Sequence, residues 1–287
     1  MIEKDIDIKN IIINIKKQLK DKYPSEEINS FVNIIFEHLL HFSNIDIHLS
    51  LEKKLDKDIQ NKIFKIVDEL KKEKPIQYIL SNAYFYDLKF KVSPGVLIPR
   101  QETEELVDWI IKDNNLSAPK ILDIGTGTGC IAIALNKNIS SSEVFGIDVS
   151  DAALKIANFN NKQNNTKVEF FKYDILKQST TINSKYDIIV SNPPYVTPAD
   201  REKMLPNVSD HEPPLALFVD EDDPLLFYRE IIDFSTDHLL DGGSLYFECN
   251  EGSAREVTEM LKRNGFKNIE LRKDMQGKER MVLGVRC

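Results

Sequence analysis

Cysteine is scarce in this 287-residue chain: Cys130, Cys249 and Cys287 stand far apart, form no CxxC pair and share no ligand spacing with histidine. That pattern argues against a disulfide framework and against a bound metal, and it suits a reducing compartment. Long apolar runs are missing too. Runs such as Ile11-Ile12-Ile13 fall far short of the roughly 20 residues that a bilayer span needs. The segment Met1-Ile2-Glu3-Lys4-Asp5 has neither the basic nor the apolar part of a secretory signal, so the expectation is a cytoplasmic protein without a membrane anchor. Excess positive charge is also lacking. The net charge of −8 weighs against a surface that grips nucleic acid through its phosphates, and it favours a basic partner. What is present, 41% apolar and 29% charged residues, is the composition of a globular protein with one large or two ordinary domains.

Residues 1–83 show apolar residues at three- and four-residue steps, which predicts three or four short helices in a small all-helical domain. One runs from Ile8 to Lys20. A second follows Pro24 and Ser25, with Glu26 and Glu27 in its first turn where carboxylates suit the helix dipole. A third, near Asp58 to Lys72, carries Ile59, Ile63, Ile66, Val67 and Leu70 on one face. Residues 84–99 read as a strand-containing connection, with Leu88, Phe90 and Val92 alternating with Lys89 and Lys91 ahead of the turn Ser93-Pro94-Gly95.

Residues 100–287 form the second expected domain. Arg100-Gln101-Glu102-Thr103-Glu104 opens a helix with an apolar stripe of Leu106, Val107, Ile110 and Ile111; charges at such a start are capping and solvated groups or substrate contacts. From Pro119 onward strand and helix patterns alternate, the signature of an α/β fold. Expected strands are Lys120 to Ile124, Val144 to Ile147, Val168 to Tyr173, Asp187 to Val190 and Ser244 to Glu248, with two more in Ile269 to Arg286 around Asp274-Met275-Gln276-Gly277. Expected helices are Cys130 to Leu135, Ala152 to Asn160, Leu225 to Leu239 and Ala254 to Asn264. Together they make a Rossmann-like, seven-stranded, mostly parallel sheet with helices on both faces.

The chemistry concentrates at predicted strand ends. Asp123-Ile124-Gly125-Thr126-Gly127-Thr128-Gly129 joins the first strand to a helix, and its glycines let the backbone approach a ligand closely. A dinucleotide fingerprint would place a glycine where Cys130 stands, and the Asp123 carboxylate would repel a pyrophosphate but attract an ammonium group. Asp148, 19 residues past Gly129, ends the second strand, where it can accept from two ribose hydroxyls or else cap the next helix. Asp174 ends the third strand, where an acceptor can meet an adenine amino group with Ile175 against the ring, unless Asp174 serves only the turn. Asn192-Pro193-Pro194-Tyr195 follows the apolar run Tyr186 to Val190. Proline cannot donate to a sheet ladder, so this stretch leaves the sheet as a stiff, carbonyl-rich turn.

In that order, Asp123-x-Gly-x-Gly-x-Gly, Asp148, Asp174 and Asn192-Pro193-Pro194-Tyr195 resemble the class I S-adenosylmethionine-dependent methyltransferases. Pro75-Ile76-Gln77-Tyr78-Ile79-Leu80, Leu97-Ile98-Pro99-Arg100-Gln101-Glu102-Thr103-Glu104 and Glu212-Pro213-Pro214-Leu215-Ala216-Leu217 narrow the resemblance to the family that methylates the glutamine of class-I peptide chain release factors. Gln101 stands where that family has proline, Ser81 where it has glycine, and Glu251-Gly252 near where it has Gln-Gly.

The resemblance implies S-adenosylmethionine as methyl donor, held by Asp123, Gly125, Thr126, Gly127, Thr128, Gly129, Asp148, Asp174, Ile175 and Asn192. It implies a release-factor glutamine in a Gly-Gly-Gln motif as acceptor; with the net acidity, no direct nucleic-acid contact is expected, and the expected state is a monomer. Asn192, Pro193, Pro194 and Tyr195 are the expected catalytic and substrate-binding residues, with Arg100 and Glu102 as further substrate contacts. A nucleic-acid adenine methyltransferase, whose flipped-out base presents a similar planar amino group, is the nearest alternative. An inactive donor-binding module is the other.

Overall fold

The computed structural model describes residues 6–177, 182–202 and 204–287. The chain divides into two compact units, one of Met1–Ser81 with Pro206–His211 and one of Asn82–Leu205 with Glu212–Cys287. The first unit is helical, with α1 (Ile8–Leu19), α2 (Ser25–Leu40), α3 (Asn44–Leu49), α4 (Lys57–Leu70) and α5 (Ile76–Leu80). Asp7 caps α1 by accepting from the Asn10 amide, and Ile8, Ile11, Ile15 and Leu19 are buried at helical spacing. Two helices go beyond the three periodic ones. α3 has six residues and α5 five, too few to show a period; a reciprocal Ser43–Asp46 capping box starts α3.

The second unit begins with a hairpin, β1 (Ala83–Phe85) against β2 (Leu88–Phe90), turned at Tyr86 and Asp87 with φ of 48° and 59°. The expected strand thus stops at Phe90 and leaves Val92 outside it. There follow α6 (Gln101–Asp113), β3 (Lys120–Ile124), α7 (Cys130–Asn138), β4 (Glu143–Asp148), α8 (Asp151–Gln163), β5 (Glu169–Lys172) and β6 (Tyr186–Ser191). Three short helices come next, α9 (Pro198–Arg201), α10 (Pro206–Ser209, in the first unit) and α11 (Pro214–Leu217). The chain ends with α12 (Leu226–His238), β7 (Leu239–Glu248), α13 (Ala254–Arg263), β8 (Lys267–Lys273) and β9 (Glu279–Val285).

Seven strands line up as β5-β4-β3-β6-β7-β9-β8, parallel except at β9, which bears out the expected mostly parallel sheet. Alternate residues feed opposite faces. Ile121 and Ile188 join one core with Leu106, Val107 and Ile110 of α6 and the apolar residues of α7; Leu122 and Ile189 join the other with Tyr228, Ile231 and Ile232 of α12 and Val257 and Leu261 of α13.

Candidate active site

β3 and β6 are neighbours, yet the chain leaves them in opposite directions, from β3 to β4 and β5 on one side and from β6 to β7 on the other. Such a reversal opens a crevice at the carboxyl ends of the strands. Both sequence motifs lie there. Ser191, the last residue of β6, is in register with Ile124, the last of β3, and its Oγ donates to the Ile124 carbonyl at 2.7 Å.

On the β3 side, Gly125, Gly127 and Gly129 have φ of 74°, 54° and 80°, the left-handed region that favours glycine. A Cβ on Gly125 would stand in open space and one on Gly127 would meet only the Gly125 carbonyl, at 3.9 Å, so these two leave bare backbone towards a ligand. Gly129 differs. A Cβ there would come within 3.0–3.2 Å of Phe170, Ile133 and Ala157, so the close helix-on-sheet packing expected one residue later falls to Gly129, and Cys130 is free to begin α7.

Asp148 accepts from the Gly127 amide at 2.9 Å and the Ser150 amide at 2.8 Å. Ser150, not Asp148, caps α8 by accepting from the Ala153 amide. Burial raises the Asp148 pKa, against the pull of those amides. Asp123 is fully enclosed instead of presented at the turn's surface. Its Oδ2 accepts from Thr126 Oγ1 at 2.6 Å while its Oδ1 accepts no hydrogen bond. Burial pushes the Asp123 carboxyl up to about 7, opposed by the Thr126 hydroxyl and the Ala132 backbone amide and reinforced by the Asp148 charge. Thr128 is buried, and its carbonyl accepts from Asn160 Nδ2 at 2.9 Å. Asp174 lies two residues past β5; its Oδ1 accepts from the Leu176 amide at 3.1 Å and its Oδ2 pairs with Lys177 at 3.0 Å, while Ile175 is buried beside it.

On the β6 side, Asn192, Pro194 and Tyr195 are half-buried and Pro193 is buried. The turn's exit is pinned by the Leu217 carbonyl, which accepts from the Tyr195 amide at 3.2 Å and the Val196 amide at 2.8 Å. Glu212, 3% exposed, accepts from Arg100 at 2.5 Å and the Ile98 amide at 3.2 Å. The two flanking stretches thus close around the Asn192–Tyr195 turn. Arg100 is committed to Glu212, and Glu102 acts as a like charge near Glu248.

Two residues at this turn escaped the sequence reading. Thr103 and Glu248 are 3% and 1% exposed, and Thr103 Oγ1 donates to Glu248 Oε2 at 2.6 Å. Tyr195 Oη donates to Glu248 Oε1 and Asn192 Nδ2 to Thr103 Oγ1, each at 3.2 Å. The signal was present in both. Thr103 shares the helical spacing of Leu106, Val107 and Ile110, the inward stripe of α6, and Glu248 closes the apolar run Leu245-Tyr246-Phe247 at the same sheet edge.

The glycine side fits the S-adenosylmethionine that the resemblance implies. It combines exposed backbone, a ribose-type acceptor in Asp148 and an enclosed, partly unpaired carboxylate in Asp123 that opposes a phosphate and favours a cation.

The family described as PrmC N-terminal domain matches residues 10–80, and the Methyltransferase small domain matches residues 101–207. The chain is 45% identical to a release factor glutamine methyltransferase of Flavobacterium psychrophilum, over 96% of this chain and 98% of that protein. It is 42% identical to one of Bacteroides thetaiotaomicron, over 93% and 96%. A solved methyltransferase from Pyrococcus furiosus has the same fold, with a TM-score of 0.53 at 17% identity over 80% of this chain and 99% of that one.

Proposed function

The chain belongs to the release factor glutamine methyltransferases, and from that premise we propose that it transfers a methyl group from S-adenosylmethionine to the side-chain amide nitrogen of a glutamine in class-I peptide chain release factors, at their Gly-Gly-Gln motif. The observation that carries the reading is the meeting of the two turns at the sheet's reversal point, tied by Ser191 Oγ to the Ile124 carbonyl at 2.7 Å. S-adenosylmethionine supplies a methyl group on a positively charged sulfur. The glycine turn and Asp148 hold its nucleoside, Asp174 and Ile175 border the base, and Asp123 in its ionised form supplies the negative field for its ammonium group.

A carboxamide nitrogen is a poor nucleophile because its lone pair is delocalised into the carbonyl. Asn192 Oδ1 and the Pro193 carbonyl accept its two hydrogens, fix it in line and stabilise the positive charge that grows on it, and once methylated the nitrogen gives up one of the two protons to water. Pro194 stiffens the turn, and the Tyr195 ring packs on the flat amide. The helical unit docks the release factor, with Arg100 and Glu102 at the near edge of the acceptor site. The enzyme works as a monomer in the cytoplasm, without direct nucleic-acid contact. Among the described residues no helix is long and apolar enough to cross a membrane.

Incubation with labelled methyl donor and, separately, a release factor, a glutamine-containing fragment of it and nucleic acid tests this. Label is expected in the factor; label in nucleic acid and not in protein would replace the amide by an adenine amino group.

A further inference from the structure

We infer that Thr103 and Glu248 are positioning residues that set which end of the Asn192 carboxamide meets the acceptor, an inference that rests on the function proposed above. Glu248 is a carboxylate, 1% exposed, at the end of β7. A carboxylate there is costly unless it is satisfied. Arg280, the cation that acts on it, is engaged elsewhere, by Asp274 at 3.3 Å and the Cys249 carbonyl at 3.2 Å. Its hydrogen bonds come from two hydroxyls, Thr103 at 2.6 Å and Tyr195 at 3.2 Å.

A hydroxyl has one proton to give. Thr103 gives its proton to Glu248 across a distance typical of a charge-assisted bond, so towards Asn192 it can only accept. The Asn192 atom 3.2 Å from Thr103 Oγ1 must then be the amide nitrogen. Because the carboxamide is planar, Oδ1 is held on the opposite arm, as an acceptor directed away from Thr103. That orientation follows from donor counting with Glu248 ionised, the form that burial opposes and that Thr103, Arg280 and Tyr195 favour; by shape the two ends of an amide are nearly the same. It is also the orientation the acceptor needs. A glutamine NH2 brings two donors, and a flipped Asn192 would set NH2 against NH2. Glu248 polarises Tyr195 in the same way, taking its proton and leaving its oxygen as an acceptor. One buried carboxylate thereby fixes the hydrogen-bond sense of both polar side chains in the Asn192–Tyr195 turn.

The test compares wild type with Thr103→Val, which keeps shape and removes the hydroxyl, Thr103→Ala, which removes it without a steric load, and Thr103→Ser, which restores it. Single-turnover methylation of the release factor is measured with donor and factor both saturating, beside donor affinity by calorimetry and folding by circular dichroism. Thr103→Val and Thr103→Ala should lose on the order of 10-fold or more in the single-turnover rate, the consequence of an unsatisfied buried group at Asn192 and Glu248. Donor affinity should stay within about twofold, and Thr103→Ser should recover most of the rate. Wild-type rates in both hydroxyl-free variants overturn the inference. So do a rate and a donor affinity that fall in parallel without rescue by serine, or loss of fold in both hydroxyl-free variants, since Thr103 is then only a structural tie. If wild type itself leaves the factor unlabelled, the proposed function fails instead.

Discussion

In the proposed reaction Asn192 offers the acceptor one carbonyl from a turn that proline has already stiffened, which keeps the reorganisation small. Asn192→Ala should lower turnover by roughly 10²-fold or more while donor binding persists, as when one preorganised polar contact is removed; near-normal single-turnover methylation would remove Asn192 from the reaction. Asp148 is the proposed contact of the other ligand, the donor. Asp148→Ala should weaken donor binding by about 1.5–3 kcal/mol, the range for a hydrogen bond to a charged group, and unchanged affinity in calorimetry would exclude it from the ribose site. Asp123 couples the same turn to pH. Its carboxyl titrates near 3.8 when free and near 7 when folded, so between those values the folded state holds a proton that the unfolded chain has lost. Its contribution to stability is therefore fully present below about pH 3.8 and lost as pH rises through about 7. The stability of wild type relative to Asp123→Asn should fall across that window, by at most about 1.4 kcal/mol per pH unit, and level off above it. Denaturant titrations of both proteins at several pH values check this, and a difference that grows with pH would refute it. These residues were legible because each motif is contiguous and sits at a strand end. Thr103 and Glu248 each carried a signal of burial but none of their pairing, because they lie 145 residues apart and meet only once α6 packs on the finished sheet.

Among the elements, the loop from β3 to α7 depends on one position more than on the rest. Gly129 combines φ of 80° with neighbours that a Cβ would approach to 3.0–3.2 Å. Gly129→Ala therefore meets a left-handed conformation and crowding together, and should cost on the order of 2–4 kcal/mol in urea denaturation. A cost near that of an exposed glycine would mean that Phe170, Ile133 and Ala157 yield easily. Periodicity disclosed most elements: β3 matches its expected bounds, and the α12 and α13 patterns were both visible. The order of strands was not visible, because alternation along the chain says which face a residue takes and not which strand lies beside it. β7 begins at Leu239, five residues before the expected Ser244, because its first part, Leu240-Asp241-Gly242-Gly243, is polar and glycine-rich and carries no alternation. α9 and α11, four residues each, are defined by proline at their starts and by the contacts around Leu217, not by a stripe.

At the scale of the whole molecule, the candidate donor and acceptor residues all belong to the second unit, while the first has its own core around Ile11, Ile15, Phe36, Ile63 and Val67. Ile15 is fully buried there, and Ile15→Ala should cost about 2–5 kcal/mol of that core's stability and leave donor affinity unchanged. Donor affinity falling with the helical core, in calorimetry beside denaturation, would show that the donor site depends on it. The helical pattern of α1, α2 and α4 was plain from sequence, but the first unit ends at Ser81, with Ala83 already in β1, and the membership of Pro206–His211 in it was not visible, since six residues without a repeat carry no such signal. His211 Nε2 lies 3.2 Å from the Lys72 carbonyl, a contact 139 residues apart in sequence. The helical unit is therefore not a detachable head. Anyone exchanging it between relatives to redirect substrate choice has two cuts to make, and a chimera that transplants residues 1–81 alone keeps a resident peptide at 206–211 matched to the partner it has lost.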